Sequence, residues 1–536
     1  MFRKFLSHFY LALIFFILTL GQQYLFYYMK EIPIVWLTFG KYFGVFAFML
    51  AATFIKPAFL RFIFLGFVFL LNYFQMAHLS YFGTQILPNE IYLFLTQYHE
   101  IHGTLAHELR HVLIPLALTI VPALIGFISV KRFSNLYTTK VMGVLFCLYF
   151  MYNPIRTMVT GNTWGRQPST RELGGMNVYL SISYFTGKIL PHKIGPGKST
   201  KASNTSSGLK VLKTKAAKWD KVVIVLGESL SPHHMSLFGY DRPTTPFLET
   251  LKNDPNFFHT VGLSGGVSTD IAVAFLLNMG FGEVGSTKAA TGEHCLFKLA
   301  KMQDYTTHFL SIQSAQQLRY IAPYLCASSL QDYKSLEDIA PATEDHQAAR
   351  DRDLIGYFRK IFEFNTKQFV FLHQRGSHGP WELRSTEQSR IFPHDGAINH
   401  YDNSVVEFDL FMRDLHGLLS SSDKKVLMVY LSDHGEALGV DGEWGHGRLA
   451  RPSFEIPVLI QSFNQELPET VRKLPKFATH YNLALFIANE LGHEMNQDPT
   501  DVLKDYVIYG NDIDGFAGKA EILFNADDTY DFKVIP

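Results

Sequence analysis

A chain of 536 residues is long enough for more than one domain. Lys plus Arg equals Asp plus Glu at 48 each, so no global charge argues for a nucleic-acid partner. Charged residues make up only 18 % of the chain while Phe alone numbers 47, and the apolar excess is concentrated at the front.

Between Tyr10 and about Asn153 lie five apolar stretches, roughly Tyr10 to Tyr28, Pro33 to Ile55, Phe62 to Met76, Val112 to Val130 and Val141 to Tyr152. A bilayer crossing takes ~20 such residues, so the third and fifth must extend at their edges. Five crossings are expected. A large buried helical core is the alternative, and the basic residues that punctuate the stretches argue for the membrane. Arg3 and Lys4 precede the first stretch, Lys56 and Arg61 separate the second from the third, and Lys131, Arg132 and Lys140 separate the fourth from the fifth. The alternate loops carry less positive charge, chiefly Lys30 and Arg110. The positive-inside bias therefore predicts a cytoplasmic amino terminus, with everything after Asn153 outside. Lys41, inside the second stretch, must snorkel or face a polar cavity. The first stretch is too long, and lacks the small-residue cleavage pattern, to be a signal peptide, so it is expected to persist as an anchor.

Residues 154–219 read as a connector between a membrane domain at 1–153 and an exported domain at 220–536. Around Glu172 to Phe185 a short amphipathic helix is expected along the membrane surface. The segment from Gly195 to Lys218 is rich in Ser, Gly and Lys with little to bury, which makes it either a plain solvated linker or a tether resting on anionic headgroups. Cys147 reads as a small apolar residue of the fifth stretch. Cys295 and Cys326 fall in the exported part, where a disulfide is permitted but not specified by sequence.

From Lys221 onward short apolar runs alternate with helical stretches. Strands are predicted at Val222 to Leu226, Phe369 to His373, Val426 to Leu431 and Pro457 to Gln461, and helices at Thr269 to Met279, Asp351 to Phe362, Asn399 to Leu419 and Ala478 to Glu490. The strands are apolar along their whole length, as strands buried on both faces are, and the alternation predicts an α/β sandwich around a mostly parallel sheet.

Two of these strands stop at metal-binding chemistry: VVIVLGES delivers Glu228, and VLMVYLSDHG delivers Asp433 and His434. Groups at the carboxyl ends of parallel strands converge on one crevice. Zinc takes imidazole nitrogen and carboxylate oxygen, usually four ligands, and Thr269 oxygen would complete a shell with Glu228, Asp433 and His434. Thr269 follows Gly265 and Gly266, which would let the backbone approach a ligand, and precedes an apolar helical run. A cation and a helix amino terminus would both favour its alkoxide as a nucleophile, and the competing reading is that Ser268 or Thr269 is only a helix cap. His378 in SHGP and His446 in GHGR sit in tight loops suited to binding phosphate oxygens, protonating a leaving alkoxide or holding a second metal, the first two being preferred. His373 reads as structural, and His233 and His234 stay open.

At these segments the chain resembles the membrane-anchored phosphoethanolamine transferases of Gram-negative envelopes, within the alkaline phosphatase and sulfatase superfamily. The matching pieces are GES at 227–229, MSLFGYDRPTTP at 235–246, the threonine-bearing glycine turn, HQRGSHGP at 373–380, YDNSV at 401–405, SDHGEALG at 432–439 and GHG at 445–447. The resemblance implies a five-helix transmembrane bundle followed by an α/β/α sandwich of alkaline phosphatase-like (sulfatase) type, multi-pass in the inner membrane with its catalytic domain in the periplasm. It implies Glu228, Thr269, Asp433 and His434 as zinc ligands, Thr269 also as the nucleophile, and His378 and His446 as the pair that engages the phosphoryl group, sometimes with additional zinc. Zn2+ is expected over Mn2+ or Mg2+. The implied donor is phosphatidylethanolamine and the acceptor an envelope glycolipid, lipid A or lipopolysaccharide core, reached through a phospho-threonine; a monomer is expected. The arginine often found shortly after the GES-type glutamate is replaced by Leu230, Ser231 and Pro232, and the turn before Thr269 lacks the cysteine of many relatives. The loop from Tyr81 to Arg110 matches weakly. A glycerol-phosphate transferase resembling lipoteichoic acid synthases, another phosphodiester transferase or hydrolase, and an inactive envelope sensor are the alternatives. A sulfatase proper is disfavoured because no Cys or Ser is followed by x-Pro-x-Arg.

Overall fold

The computed structural model describes residues 2–32, 38–56, 58–82, 85–96, 109–133, 138–160, 173–194, 208–282, 289–341, 349–439, 444–504 and 506–535. The chain divides into two compact units, Met1–Lys198 and Ser199–Pro536.

The first unit is helical: α1 (Phe2–Met29), α2 (Phe39–Thr53), α3 (Ala58–Phe82), α4 (Pro88–Thr96), α5 (Arg110–Arg132), α6 (Lys140–Thr160) and α7 (Gly174–Tyr184). Leu11, Phe15, Met49, Ala52, Leu65, Phe69 and Phe146 form its main core. On α5 and α6 the opposite arrangement holds, with Leu113, Val121, Leu124, Ile128, Val144, Leu148 and Met151 all exposed, a surface suited to hydrocarbon rather than water. Among the described residues three segments are, by length and composition, able to cross a membrane: Phe5–Met29, Phe59–Tyr81 and His111–Arg132. The expected five are thus met only in part. Phe39–Thr53 is an apolar helix of shorter length, and the apolar run of α6 ends at Asn153, Pro154 and Arg156.

Helix α7, expected along a surface, is instead buried over most of its length and packs on α3 and α6. Its two leading glycines explain the difference. A Cβ on Gly174 would stand 2.9 Å from Gln75 and one on Gly175 2.9 Å from Asn72. Without them the backbone comes close enough for Gly174 N to donate to Gln23 Oε1 at 3.0 Å and Gly175 N to Asn72 Oδ1 at 2.7 Å. The free amides of the helix start are thereby satisfied by polar side chains of α1 and α3. Of the expected tether, residues 195–207 lie outside the described residues, as do 83–84 and 97–108 of the weakly matching loop.

The second unit is built on a seven-stranded sheet of β1 (Lys221–Gly227), β2 (Phe257–Leu263), β3 (Thr306–Ser311), β4 (Asp332–Lys334), β5 (Gln368–His373), β6 (Val426–Ser432) and β7 (Glu455–Phe463). The spatial order is β2-β7-β6-β1-β5-β3-β4. Strands β6, β1, β5, β3 and β4 are mutually parallel, whereas β7 runs antiparallel to both its neighbours, so the sheet is mixed. Alternate residues of β1 feed two cores: Val222, Ile224 and Leu226 join one, Val223 and Val225 the other. Helices α8 (Thr269–Leu277) and α11 (His480–Glu490) contribute to the first core, and α9 (Arg352–Phe362) and α10 (Ala397–Ser420) to the second. The result is helices on both faces of the sheet, the α/β/α sandwich expected.

Cys295 and Cys326 are joined in a disulfide. A small antiparallel sheet closes the chain, with strands Tyr506–Tyr509, Lys519–Phe524 and Tyr530–Ile535.

Candidate metal centre

The order β6-β1-β5 decides the site. Register pairs Gly227 with Ser432 and Leu226 with His373, so the residues that follow each strand emerge side by side at one end of the sheet. Glu228, fully buried, stands between the other two exits. Its backbone is held from three sides. Ser229 takes a positive φ of 56°, and its carbonyl accepts from Tyr401 Oη at 2.7 Å. Gly376, also at positive φ, lies so close that a Cβ there would stand 2.4 Å from Glu228 O, and Ser377 N donates to that same carbonyl at 2.9 Å.

Asp433 and His434 are fully buried. Oδ1 of Asp433 accepts from Ser229 N at 3.0 Å and His434 N at 2.6 Å, which orients the carboxylate and frees Oδ2. The His434 ring is turned by its Nδ1, 2.9 Å from Gly435 O, so Nε2 faces the carboxylates. It stands 3.3 Å from Glu228 Oε1 and 3.3 Å from Asp433 Oδ2. Neither Asp433 Oδ2 nor His434 Nε2 completes a hydrogen bond of good geometry. Thr269, the first residue of α8, donates from Oγ1 to Glu228 Oε2 at 3.0 Å.

These distances test the cation directly. Four ligands at ~2.1 Å in a tetrahedron stand about 3.4 Å apart, close to the separations seen here. One imidazole nitrogen, two carboxylate oxygens and a hydroxyl are ligand types that zinc accepts. The electrostatics agree. Burial opposes a charge on His434, but Asp433 and Glu228 overcome it and push the ring up to about 10. Burial and then the Glu228 charge push Asp433 up to about 7. Burial would raise Glu228 too, yet the His434 ring holds it well below the ordinary carboxylate range. Two buried carboxylates keeping an imidazole cationic mark a place where positive charge is held.

His446 and His378 complete the constellation. The His446 ring centroid lies 4.3 Å from that of His434 and 5.5 Å from that of His378. His446 Nδ1 is 2.8 Å from Glu436 Oε2, and His434, Glu436 and His446 form a second group with ligand-like spacing. His378 is turned by its Nδ1, 2.7 Å from Gly379 O, and Arg384 Nε donates to His378 O at 2.8 Å. Burial, reinforced by His446, Arg375 and Arg384, lowers His378 to about 3 against the pull of Glu228, leaving it neutral at pH 7.

All six side chains expected from sequence therefore meet at one end of the sheet. Other expectations change. Gly266 makes room not for a ligand but for α8 itself: a Cβ there would stand 2.4 Å from Ile271 Cγ2. Ser268 occupies the helix cap position without a side-chain capping bond, donating to Asp270 Oδ1 instead. His233 pairs with Glu455 at 2.6 Å and His234 with Asp402 at 2.7 Å. Asp402 also binds Tyr240 at 3.0 Å and Arg242, so the MSLFGYDRPTTP and YDNSV segments hold each other. His373 is fully buried on Ser311 at 2.9 Å, and burial lowers it to about 4.

Sequence reasoning passed over Gln313, whose Nε2 donates to Glu228 Oε2 at 3.2 Å, and Glu436. The signal for Gln313 was its place just beyond β3, a strand broken in sequence by Thr307 and His308. Glu436 lies inside the SDHGEALG segment without a role having been assigned to it.

The sulfatase family profile matches residues 220–492. The chain belongs to the sulfatase family. The phosphoethanolamine transferase EptA of Helicobacter pylori is 26% identical over 272 residues, covering 45% of this chain and 47% of that protein. The phosphatidylethanolamine transferase Mcr-1 of Escherichia coli is 29% identical over 245 residues, covering 42% and 44%. The chain thus spans about half the length of these curated relatives. Among solved structures, the integral membrane lipooligosaccharide phosphoethanolamine transferase A of Neisseria meningitidis shares the fold with a TM-score of 0.58 at 17% identity, over 92% of this chain and 96% of that one. Residues 493–536 lie beyond the family match, yet this segment reaches back to the site: Val267 N donates to Tyr509 O at 3.1 Å, and Gly447 N to Val267 O at 3.1 Å, tying the threonine turn to the His446 loop.

Proposed function

We propose that the protein transfers phosphoethanolamine from phosphatidylethanolamine to an envelope glycolipid, lipid A or lipopolysaccharide core, through a covalent phospho-threonine on Thr269. The observation that carries this reading is the Thr269 hydroxyl beside Glu228, Asp433 and His434 in a ligand set fit for a divalent cation. The names of these relatives support the headgroup.

Glu228, Thr269, Asp433 and His434 would hold the zinc. When bound, the ion acts as a Lewis acid that favours the alkoxide of Thr269 and offsets charge on the phosphoryl oxygens. In the first displacement Oγ1 of Thr269 bonds to phosphorus, the bond to the diacylglycerol oxygen breaks, and diacylglycerol leaves. The hydroxyl proton has Glu228 Oε2 as its acceptor. In the second, an oxygen of the glycolipid attacks the same phosphorus and Thr269 is released. His378, neutral at pH 7 with Nδ1 on Gly379 O, keeps Nε2 for the proton of the incoming hydroxyl. His446, held at Nδ1 by Glu436, offers Nε2 to a phosphoryl or leaving oxygen.

In this reading residues 1–153 anchor the enzyme in the inner membrane, residues 154–219 connect, and residues 220–536 act as a monomer in the periplasm. Mass spectrometry of envelope glycolipids from cells with and without the protein tests it. A protein-dependent phosphoethanolamine adduct is expected. A glycerol-phosphate adduct, or no change, overturns the headgroup assignment.

A further inference from the structure

At the end of the helical unit that carries the amino terminus, α1, α2, α3 and α6 meet. His8 Nδ1 lies 2.8 Å from Thr53 Oγ1, and its ring stacks on Phe54 with centroids 3.8 Å apart. Thr139 N donates to Phe54 O at 3.0 Å, closing the connection before α6 onto the end of α2. Arg61, in the first turn of α3, is enclosed here with 2 % of its surface exposed. A guanidinium has five N–H donors. Arg61 places one of them, from an Nη to Thr53 O at a long 3.3 Å, and its Nε is buried without a partner.

Among the described residues no carboxylate pairs with it. Residues 1–198 contain five carboxylates and no Asp: Glu31, Glu90, Glu100, Glu108 and Glu172. The two among the described residues, Glu31 and Glu90, follow α1 and α3, at the far ends of those helices from His8 and Arg61. Glu90 is accounted for there by His78 near the far end of α3, 3.2 Å away. Among the described residues the end that holds Arg61 carries the cations Lys56, Lys131, Arg132 and Lys140 and no carboxylate. A buried charge without a partner is strongly unfavourable, which calls for an anion that the described residues of this unit do not supply.

We propose that Arg61, with Thr53 and His8, forms a site for the phosphate of an anionic glycerophospholipid in the leaflet on that side of the bilayer. The candidate span of α3 begins at Phe59, which puts Arg61 about 3 Å inside the apolar segment, the depth of the headgroup boundary. Its planar fork binds phosphate oxygens in pairs, while Thr53 Oγ1, which donates to Leu50 O at 2.7 Å, holds His8 beside it. Cations all around disfavour a headgroup that brings its own ammonium, so phosphatidylglycerol is preferred over phosphatidylethanolamine. The site rests on the membrane reading of the helical unit and is independent of the transfer chemistry.

The test uses the full chain in nanodiscs of phosphatidylcholine alone, or with added phosphatidylglycerol or phosphatidylethanolamine, and in detergent with inorganic phosphate. Thermal unfolding is followed, and lipid retained through purification is quantified by mass spectrometry. The expected result is a rise of several degrees with phosphatidylglycerol only, and phosphatidylglycerol retained with the purified protein. Arg61→Met loses both effects, while Lys56→Gln, which removes an exposed cation at the same end, keeps them. Equal melting in all three bilayers with no retained phosphatidylglycerol overturns the site, as does an undiminished gain in Arg61→Met. An equal gain from phosphatidylethanolamine or inorganic phosphate overturns the lipid assignment. Should Arg61→Met not fold, the lipid retained by the unmodified protein decides.

Discussion

Oγ1 of Thr269 donates to Oε2 of Glu228 at 3.0 Å across 41 residues of sequence, so the hydroxyl at the head of α8 already faces a carboxylate that follows β1. This contact puts a candidate nucleophile and its proton acceptor in place without any movement of the backbone.

Thr269→Ala is expected to lower transfer by about three orders of magnitude or more, because no other hydroxyl is shown donating to Glu228 from α8. The cost to folding should be only about 1 kcal/mol, one hydrogen bond at a helix start. Thr269→Ser keeps the hydroxyl and should retain measurable transfer. Intact-protein mass spectrometry with donor present checks the covalent step: an adduct on the unmodified protein that persists in Thr269→Ala would refute the assignment.

Asp433→Asn isolates the metal. Oδ1 can go on accepting from Ser229 N and His434 N, while an amide nitrogen replaces the orphaned Oδ2. Metal binding at a thousand times Kd stabilises the folded state by about 4 kcal/mol, so chelation should lower the melting temperature of the unmodified protein and leave Asp433→Asn unchanged. Calorimetry with and without chelator, alongside metal analysis, distinguishes this from a site that holds no ion.

Asp351 reports on pH. Its two oxygens accept from Arg375 N at 2.7 Å and Gly376 N at 3.0 Å, and burial, against those bonds, raises it to about 6. The folded state therefore binds this proton more tightly than the unfolded chain, whose Asp titrates near 3.9. This group's contribution favours folding most below about pH 4 and declines as pH rises through about 6, a change of roughly 3 kcal/mol. Asp351→Asn should flatten that part of the stability profile. It should also slow transfer, because the loop held by these bonds carries His378. A profile unchanged between pH 4 and pH 6, the unfolded and folded values, would show that Asp351 does not titrate there.

Gly376→Ala places a methyl 2.4 Å from Glu228 O at a backbone φ of 54°. Destabilisation of roughly 2–4 kcal/mol is expected, together with weaker metal retention as Glu228 is displaced. Denaturant unfolding and metal content measure the two effects separately. Wild-type values for both would mean that the close approach is not maintained in solution.

Much of this was legible in the residues because it is written in local pattern. Strands β1, β5 and β6 are continuous apolar runs, and each ends at polar chemistry, so their burial and the positions of Glu228, Asp433 and His434 follow from one-dimensional information. Strands β2, β3 and β4 were not legible: Phe257–Leu263 contains His259, Thr260 and Gly262, and Asp332–Lys334 is a three-residue edge. Their pairing comes from neighbours already in the sheet. The reversed direction of β7 is likewise invisible in its composition, since an apolar strand reads the same parallel or antiparallel.

By itself the sequence determined which side chains were available for chemistry, where the apolar helices fall, and that residues 1–198 hold five Glu and no Asp. Only the tertiary structure decided that Cys295 reaches Cys326, that α7 docks on Asn72 and Gln75 instead of lying on a surface, and that Gln313 and Glu436 join the site. The reason is distance along the chain. Periodicity and composition encode the burial of a residue among its near neighbours, whereas a bond between positions tens or hundreds of residues apart depends on strand order and helix packing, which no local pattern records.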